Sequence, residues 1–422
     1  MIESISLPAI CTFISCFIFI KIYIHRLFKG ISILKTPLWR RNFNWALFVN
    51  IVGVFFIAMV FYLRYGFITD DHGYFIGGQK FTKTNIFRLD NGTEFIYFIT
   101  HFFFKHFHFN LLSFHILFAT LGLVGSLNFL YIYFSRIEND NKKLNKILKT
   151  AFWTITCFPN FLAWGRFFGK DSLTFFLSSM LAVFIWKIVS NSRVHIIHWL
   201  FLLFFPLWAI GMIRAHIAIA LGGSSLFIIS LSYMGGKKDR DIHLHSLLRV
   251  YIPLLMIVFV AVFGNSMIKR LTGNSSVSSA DMVENSLIQA TSMGAWGGSK
   301  TELASDINEN SRIIFSPFQI AKNIFLLLFA PLPWQVRNII DIMAVMTNIL
   351  LFYLIYKFAF SLSLNDLYQK YLLLCVFLLT IVLSFMTGNV GLILRQKTII
   401  LPFLFLLIFS VKSSRQKLPH YR

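Results

Sequence analysis

Two adjacent carboxylates form the first stretch of the sequence that could do chemistry. Asp70 and Asp71 stand together, followed by His72, shortly after a long apolar run. One carboxylate of such a pair can act as a general base while the other supports it, or both can bind a divalent cation. A solvated turn is the alternative. Because charge at a membrane edge is costly, we predict that Asp70 and Asp71 are catalytic residues.

A second stretch, Pro159–Asp171, carries charge between two apolar runs. Arg166 offers a planar fork that suits phosphate, and Lys170 offers a mobile point charge. We predict that both bind an anionic substrate, with snorkelling to lipid headgroups as the alternative. Asp171 adjoins them and is assigned to the same substrate site. At the start of the next helix, Asp171 could equally serve as a helix cap.

Two further short connections place polar side chains at the ends of apolar runs. Arg214 and His216 lie between two such runs, and Arg395 precedes the last one, shortly after Gly391. Histidine can act as a base or hydrogen-bond a sugar or phosphate, whereas a structural histidine is the alternative. We predict that Arg214 and Arg395 bind substrate and that His216 is a catalytic candidate.

Transmembrane helices must position these residues. The chain has 422 residues, of which 57% are hydrophobic and 13% are charged, roughly half the charged share of a soluble domain. A span needs about 20 apolar residues, and this rule predicts an all-α polytopic bundle of about eleven helices in a single integral membrane domain, 1–422. The predicted runs are 4–24, 44–63, 111–134, 147–164, 172–189, 196–212, 216–233, 249–267, 339–359, 369–386 and 397–411.

Clusters of Lys and Arg predict the orientation of the chain. They fall in loops 25–43, 135–149 and 234–249 and in the C-terminal tail, and the positive-inside bias places such loops in the cytoplasm. The N-terminus is then periplasmic and the C-terminus cytoplasmic in a bacterial inner membrane. The formal net charge of +22 follows from this bias, so we expect no nucleic-acid partner.

This orientation leaves two long loops in the periplasm. In the first, 64–110, the Phe-rich end is predicted to lie on the bilayer as an interfacial segment. The second, 268–338, is predicted to hold a re-entrant or interfacial segment, because Pro331–Trp334 combines helix-breaking prolines with a boundary tryptophan.

Four motifs together resemble a known family. They are Pro…Trp…Gly-Lys-Asp in 159–171, Arg-x-His in 214–216, Pro-Leu-Pro-Trp in 331–334 and Asn-x-Gly…Arg in 389–395. Spread over most of the chain, they resemble bacterial polysaccharide polymerases of the Wzy/EpsG type, which are related to the GT-C glycosyltransferases. The resemblance implies an enzyme of O-antigen or capsule synthesis in lipopolysaccharide or capsular polysaccharide pathways.

The resemblance also implies a reaction and partners. A glycan on undecaprenyl diphosphate would be transferred, with inversion, onto a new lipid-linked repeat unit at the periplasmic face. Membrane lipids, a chain-length regulator and a flippase are the implied partners. The cations would hold the diphosphate, and one of three residues would deprotonate the acceptor hydroxyl. These residues are Arg166, Lys170, Arg214 and Arg395 for the diphosphate, and Asp70, Asp71 or His216 for the base.

Other functions and a metal stay open. The pair Asp70 and Asp71 is also similar to the first-loop acids of GT-C enzymes that add one sugar from a polyprenyl-phosphate donor. No cofactor is required, since four cations can do a metal's electrostatic work, but a divalent cation at this pair is left open. A flippase for lipid-linked oligosaccharide is a further alternative, although transporters carry ionisable groups nearer mid-membrane. A structural membrane protein is the last.

Overall fold

The computed structural model describes ten stretches of the chain, and all regular structure within them is helical. They are 7–29, 37–65, 70–82, 92–136, 142–190, 200–234, 317–336, 339–359, 366–384 and 390–410. No strand occurs in these stretches, which confirms the all-α class. The predicted span 249–267 and the loop 268–316 lie outside the described residues.

Fourteen helices are described. The first eight are α1 Leu7–Leu27, α2 Pro37–Tyr65, α3 Asp70–Gln79, α4 Gly92–Phe107, α5 Leu111–Ser135, α6 Lys142–Cys157, α7 Pro159–Ala163 and α8 Lys170–Val189. After a π-helical turn at Leu200–Phe204 come α9 Phe205–Ile213, α10 Ala215–Met234, α11 Pro317–Phe329, α12 Ile339–Ala359, α13 Leu367–Ser384 and α14 Val390–Ser410.

Within the described stretches, six helices are long and apolar enough to cross a membrane. They are α1, α5, α8, α10, α13 and α14. This finding supports a membrane protein. The larger number of about eleven spans, the single domain and the two periplasmic loops stay predictions.

Two of the predicted spans that bear on the site differ from the helices observed. The run 147–164 is divided, because α6 ends at Cys157 and Phe158 is extended at φ −61° and ψ 133°. Pro159 explains the break, since it lacks an N–H and disfavours helical geometry in the residue before it. The last span begins at Val390 rather than 397, so Arg395 lies inside α14 and not before it.

The chain divides into two compact units. Unit 1 comprises residues 1–183 with 415–422, and unit 2 comprises 184–414. In unit 1, α1 and α5 pack side by side and run in the same direction. The hydroxyl of Tyr23 donates to Asn128, and Phe28, the residue after α1, contacts Phe134 further along α5. The first residues of α1 and of α5 therefore lie at one end of unit 1.

The segment before α5 is fixed by local hydrogen bonds and close packing. Asn110 caps α5, since its Oδ1 accepts from the backbone N of Ser113 at 2.8 Å. Only residues 108–110 separate α4 from α5. The helices α3 and α4 pack closely, because a Cβ at Gly78 would stand 2.4 Å from the Cβ of Thr100. Earlier on α3, Phe75 contacts Phe104 later on α4, so the start of α3 lies toward the start of α5.

In unit 2 the segment 317–336 is a helix followed by a break. α11 ends at Phe329, a cis peptide joins Ala330 to Pro331, and a 3₁₀ turn spans Pro333–Gln335. The break predicted at Pro331–Trp334 is present, and Trp334 is exposed. The position of this segment relative to the bilayer stays a prediction.

Candidate active site

A buried carboxylate and a buried histidine meet at the start of α5 in unit 1. Asp71, in the first turn of α3, is fully buried, and its Oδ2 lies 3.0 Å from Nε2 of His115 on α5. A buried carboxylate needs such a partner, because without one the cost of removing its charge from water is not compensated. The pair therefore fixes the orientation of both side chains.

Lys170 brings a cation to the same group of helices. The side chain stands at the first residue of α8, where its Nζ donates to Oγ1 of Thr93 on α4 at 2.6 Å. Its Nζ also lies 6.0 Å from the centre of the Tyr74 ring, one turn after Asp71 on α3. We call Asp71, Tyr74, Thr93, His115 and Lys170 the Asp71 cluster.

Aromatic packing holds the segment between α7 and α8 against this cluster. Phe168 stacks on Phe114 with ring centres 5.0 Å apart and meets Tyr74 edge-on at 6.0 Å. The Phe167 ring centre lies 4.9 Å from that of His115. The segment Pro159–Asp171 thus contacts the Asp71–His115 pair. It also contacts Tyr74 on α3, the aromatic neighbour of Lys170.

Arg166 lies deep in unit 1 and not at the start of α5. Its side chain is fully buried, with Nη2 donating to Oγ of Ser126 at 3.1 Å and to the carbonyl oxygen of Thr156 at 2.6 Å. Ser126 is fifteen residues beyond Leu111, roughly 22 Å along α5 at the α-helical rise. Among the described residues, none accepts a hydrogen bond from its Nε or Nη1.

The remaining predicted residues fall into two groups. Asp70 is exposed at the first position of α3, and Asp171 is buried in the first turn of α8, where the helix dipole favours it. Arg214, His216 and Arg395 belong to unit 2. Arg214 ends α9, and its carbonyl accepts from the backbone N of Ile217 at 3.0 Å. Within unit 1, the structure joins Asp71 and Lys170 through the cluster.

Three members of the Asp71 cluster are absent from the sequence prediction: Tyr74, Thr93 and His115. A signal for His115 was present, because it is the single Asp, Glu, His, Lys or Arg in the apolar run 111–134. An ionisable side chain inside a span is a functional candidate by default. Thr93 carried no comparable signal, since a threonine near a helix start is common.

The cluster combines groups that suit proton and phosphate chemistry. A carboxylate–imidazole pair can accept a proton from a hydroxyl group, with one member orienting the other. A lysine ammonium can bind phosphate as a point charge. In the described stretches, no three His, Cys, Asp or Glu side chains are grouped to hold a metal ion. A divalent cation at Asp70 and Asp71 stays a prediction.

Comparisons with protein-family models, curated proteins and solved structures find no match to this chain. The function must therefore be argued from the residues themselves.

Proposed function

We propose that this protein is a membrane glycosyltransferase that polymerises lipid-linked repeat units of a surface polysaccharide. One observation carries the proposal: a buried Asp71–His115 pair lies in one cluster with Lys170. The cluster gathers a proton acceptor and a phosphate-binding cation, which are the two functions that glycosyl transfer from a diphosphate requires. The motifs that resemble polysaccharide polymerases supply the substrate class.

The chemistry can be written for these residues. The oxygen of the acceptor hydroxyl attacks the anomeric carbon of the donor glycan and forms the new glycosidic bond. The bond between that carbon and the diphosphate breaks, and the polyprenyl diphosphate leaves with the electron pair. Asp71, with His115 beside it, takes the proton of the hydroxyl. Lys170 stabilises the charge that develops on the leaving diphosphate.

The other predicted residues keep their proposed roles. The assignment of Arg166, Arg214, Arg395 and Asp171 to substrate binding stays a prediction from the sequence and is not part of the step written for the Asp71 cluster. Asp70 and His216 are the alternative bases. Because Asp70 is exposed whereas Asp71 is buried against a histidine, we favour Asp71. Localisation is proposed to be the bacterial inner membrane.

A second function, transfer of one sugar from a polyprenyl-phosphate donor, is favoured by a specific observation. Asp70 and Asp71 are the first two residues of α3, the next helix after α2. In an enzyme of this kind the two carboxylates would be the essential acidic residues. The two functions differ in product. A polymerase joins complete repeats into long chains, whereas a single-sugar transferase adds one sugar to each repeat.

The first test is the surface glycan of a strain that lacks the gene. Glycan reduced to one repeat, with long chains restored by the intact gene, is the expected result. Full-length polymer that lacks one sugar would instead establish the single-sugar transferase. Complete repeats trapped on lipid at the inner face would show a flippase.

The second test assigns the base. Asp71→Asn is expected to lower the rate of polymer formation by about 100-fold or more, because general-base catalysis contributes about 10²–10⁴-fold. The matched control is Asp366→Asn, since Asp366 Oδ1 accepts from the backbone N of Tyr368 at 3.0 Å and an amide oxygen can do the same. Full activity of Asp71→Asn, with loss in His216→Gln, would transfer the role of base to His216.

A further inference from the structure

Backbone carbonyl groups collect at the break after α11 in unit 2. Nδ2 of Asn348 on α12 donates to the carbonyl oxygen of Phe329 at 2.8 Å and to that of Pro331 at 3.2 Å. Carbonyl groups at a helix end lack partners within the helix and carry partial negative charge. Asn348 therefore satisfies two of these carbonyl groups and leaves its own Oδ1 for a donor from another helix.

The ammonium group of Lys397 on α14 is that donor. Its Nζ donates to the carbonyl oxygen of Ala330 and to Oδ1 of Asn348, each at 2.7 Å. Lys397 is 1% exposed, Asn348 7% and Ala330 0%. The break after α11, helix α12 and helix α14 thus meet at one buried positive charge. We call Ala330, Asn348 and Lys397 the Lys397 site.

No carboxylate offsets this charge in the part of the chain that the structure describes. Both partners of Nζ are neutral oxygens, and no Asp or Glu forms an ion pair with it. Asp341, in the first turn of α12, stands seven residues before Asn348, roughly 10 Å along the helix. Burying a charge without a counter-ion is costly, so the dipoles of the two oxygens must compensate for the lost hydration.

Neutral oxygens are the ligands of a monovalent cation. In potassium-selective pores, backbone carbonyl oxygens replace the hydration shell of the ion. Divalent cations such as Mg²⁺ and Ca²⁺ are instead held largely through carboxylates. An ammonium group and K⁺ carry the same single charge, and both are held by carbonyl oxygens. The Lys397 site therefore has the ligands of a site for a monovalent cation.

We propose that the break after α11 is a monovalent-cation site that the ammonium of Lys397 fills in the native protein. The lysine side chain brings the cation with it, so the break forms without an ion from solution. K⁺ binds to the same oxygens when the ammonium is removed. This inference goes beyond the proposed reaction and does not depend on it.

Removing the lysine side chain tests the site by chemical rescue. Lys397→Ala leaves room for a small cation, and n-propylammonium supplies the atoms that the substitution deletes. Thermal unfolding of the full-length variant in detergent is measured in KCl, n-propylammonium chloride and choline chloride at equal ionic strength. K⁺ and n-propylammonium are each expected to raise the midpoint by several degrees over choline, because a ligand at 100 times its Kd shifts the folding equilibrium about 100-fold. Equal midpoints in the three salts would overturn the proposal.

Wild-type protein and Lys370→Ala are the matched controls. Lys370 is exposed on α13, so its removal leaves the Lys397 site filled. Neither control is expected to distinguish the three salts. A similar response in the controls would show a general salt effect and overturn the site. Rescue of Lys397→Ala by MgCl₂ but not by KCl would overturn the monovalent class.

Lys397→Met separates the charge from the packing. Methionine keeps most of the side-chain volume but donates no hydrogen bond, so the oxygens of Ala330 and Asn348 lose their cation. The midpoint is expected below that of the wild type in every salt, with no gain from KCl because the side chain still fills the space. A midpoint equal to that of the wild type or above it would show that the break needs no cation. This result would overturn the proposal even if Lys397→Ala does not fold.

Rubidium binding counts the ion directly. Rb⁺ is an analogue of K⁺ that atomic spectroscopy detects after equilibrium dialysis of the protein in detergent. A single bound Rb⁺ is expected in Lys397→Ala, and none in wild-type protein or Lys370→Ala. Lys397→Ala without bound Rb⁺, or wild-type protein with the same amount, would overturn the site.

Discussion

Arg166 carries a positive charge in an environment that opposes charge. Its side chain is fully buried, and within the described part of the chain its hydrogen bonds go to one hydroxyl and one carbonyl oxygen. Such bonds contribute about 1.5–3 kcal/mol each, whereas removing an ion from water costs several kcal/mol. Because Nε and Nη1 have no acceptor among the described residues, the two bonds at Nη2 do not offset the whole cost, and we expect a functional reason for the charge.

Replacing Arg166 by an apolar residue of similar length separates these roles. We expect Arg166→Met to keep or raise the thermal unfolding midpoint, because it removes the desolvation cost and Thr156's carbonyl still has Asn50 as a donor at 3.4 Å. Polymer formation should nevertheless be lost. Arg166→Lys should retain the charge but little activity, since lysine lacks the fork. Parallel loss of midpoint and activity in Arg166→Met would instead show a structural residue.

Gly122 of α5 allows the segment that carries Arg166 to approach the helix closely. A Cβ at Gly122 would stand 2.0 Å from the carbonyl oxygen of Gly165 and 2.7 Å from Cγ of Arg166. Backbone atoms cannot yield as a flexible side chain does. The close approach of α5 to this segment thus depends on the absence of a side chain.

Two glycine substitutions test this contact. Gly122→Ala should lower the free energy of unfolding by about 1–3 kcal/mol, the usual cost of overpacking, and should lower activity because the segment also carries Lys170. Gly223→Ala on α10 is the control. Apart from its chain neighbours and the backbone of its own helix turn, no atom lies within 4 Å of the added Cβ, so alanine's higher helix propensity should stabilise the protein by up to about 1 kcal/mol. Thermal unfolding in detergent measures both. Equal midpoints for the two variants would contradict this account.

A buried lysine joins the elements of unit 2. Nζ of Lys397 on α14 donates to the carbonyl oxygen of Ala330 and to Oδ1 of Asn348, each at 2.7 Å. Asn348 on α12 in turn donates to the carbonyl oxygen of Phe329 at 2.8 Å. The last carbonyls of a helix carry partial negative charge, so a cation there is favourable. Lys397 therefore stabilises the break after α11.

At the scale of the whole molecule, the contacts within unit 1 place α3 at the start of α5 and α6 near its end. Asp71 places α3 at the start of α5. Trp39, at the start of α2, contacts both Phe134 near the end of α5 and Phe152 of α6. If α5 spans the membrane, exposed Gln79 on α3 and exposed Lys149 on α6 lie on opposite sides.

Site-directed labelling tests this arrangement. In a background without the four natural cysteines, Gln79→Cys should react with a membrane-impermeant maleimide from the periplasm. Lys149→Cys should react only after the inner membrane is opened, because the positive-inside bias places its basic neighbours in the cytoplasm. Labelling of both from one side would show that α5 does not cross. The reverse pattern would show that the orientation is wrong.

Much of the fold could be predicted from the sequence. The all-α class, the start of α5 and the break near Pro331 follow from hydropathy, periodicity and proline chemistry, which act over short distances along the chain. The division of 147–164 at Phe158 and the start of α14 at Val390 are exceptions. In 147–164 the cause is local. Pro159 ends the helix because it lacks a backbone N–H. Hydropathy measures only how apolar the run is, so it does not predict this helix end.

The sequence by itself determined that charged residues stand at Asp71, Arg166 and Lys170 within an apolar chain. Only the tertiary structure decided that Asp71 pairs with His115, that Lys170 joins the same cluster and that Arg166 lies against the middle of α5. The physical reason is that the preference of a segment for an apolar environment depends on its own residues and can be read along the chain. Contacts between distant segments depend on how helices rotate and how closely they approach, and at Gly122 that distance is set by the absence of one side chain.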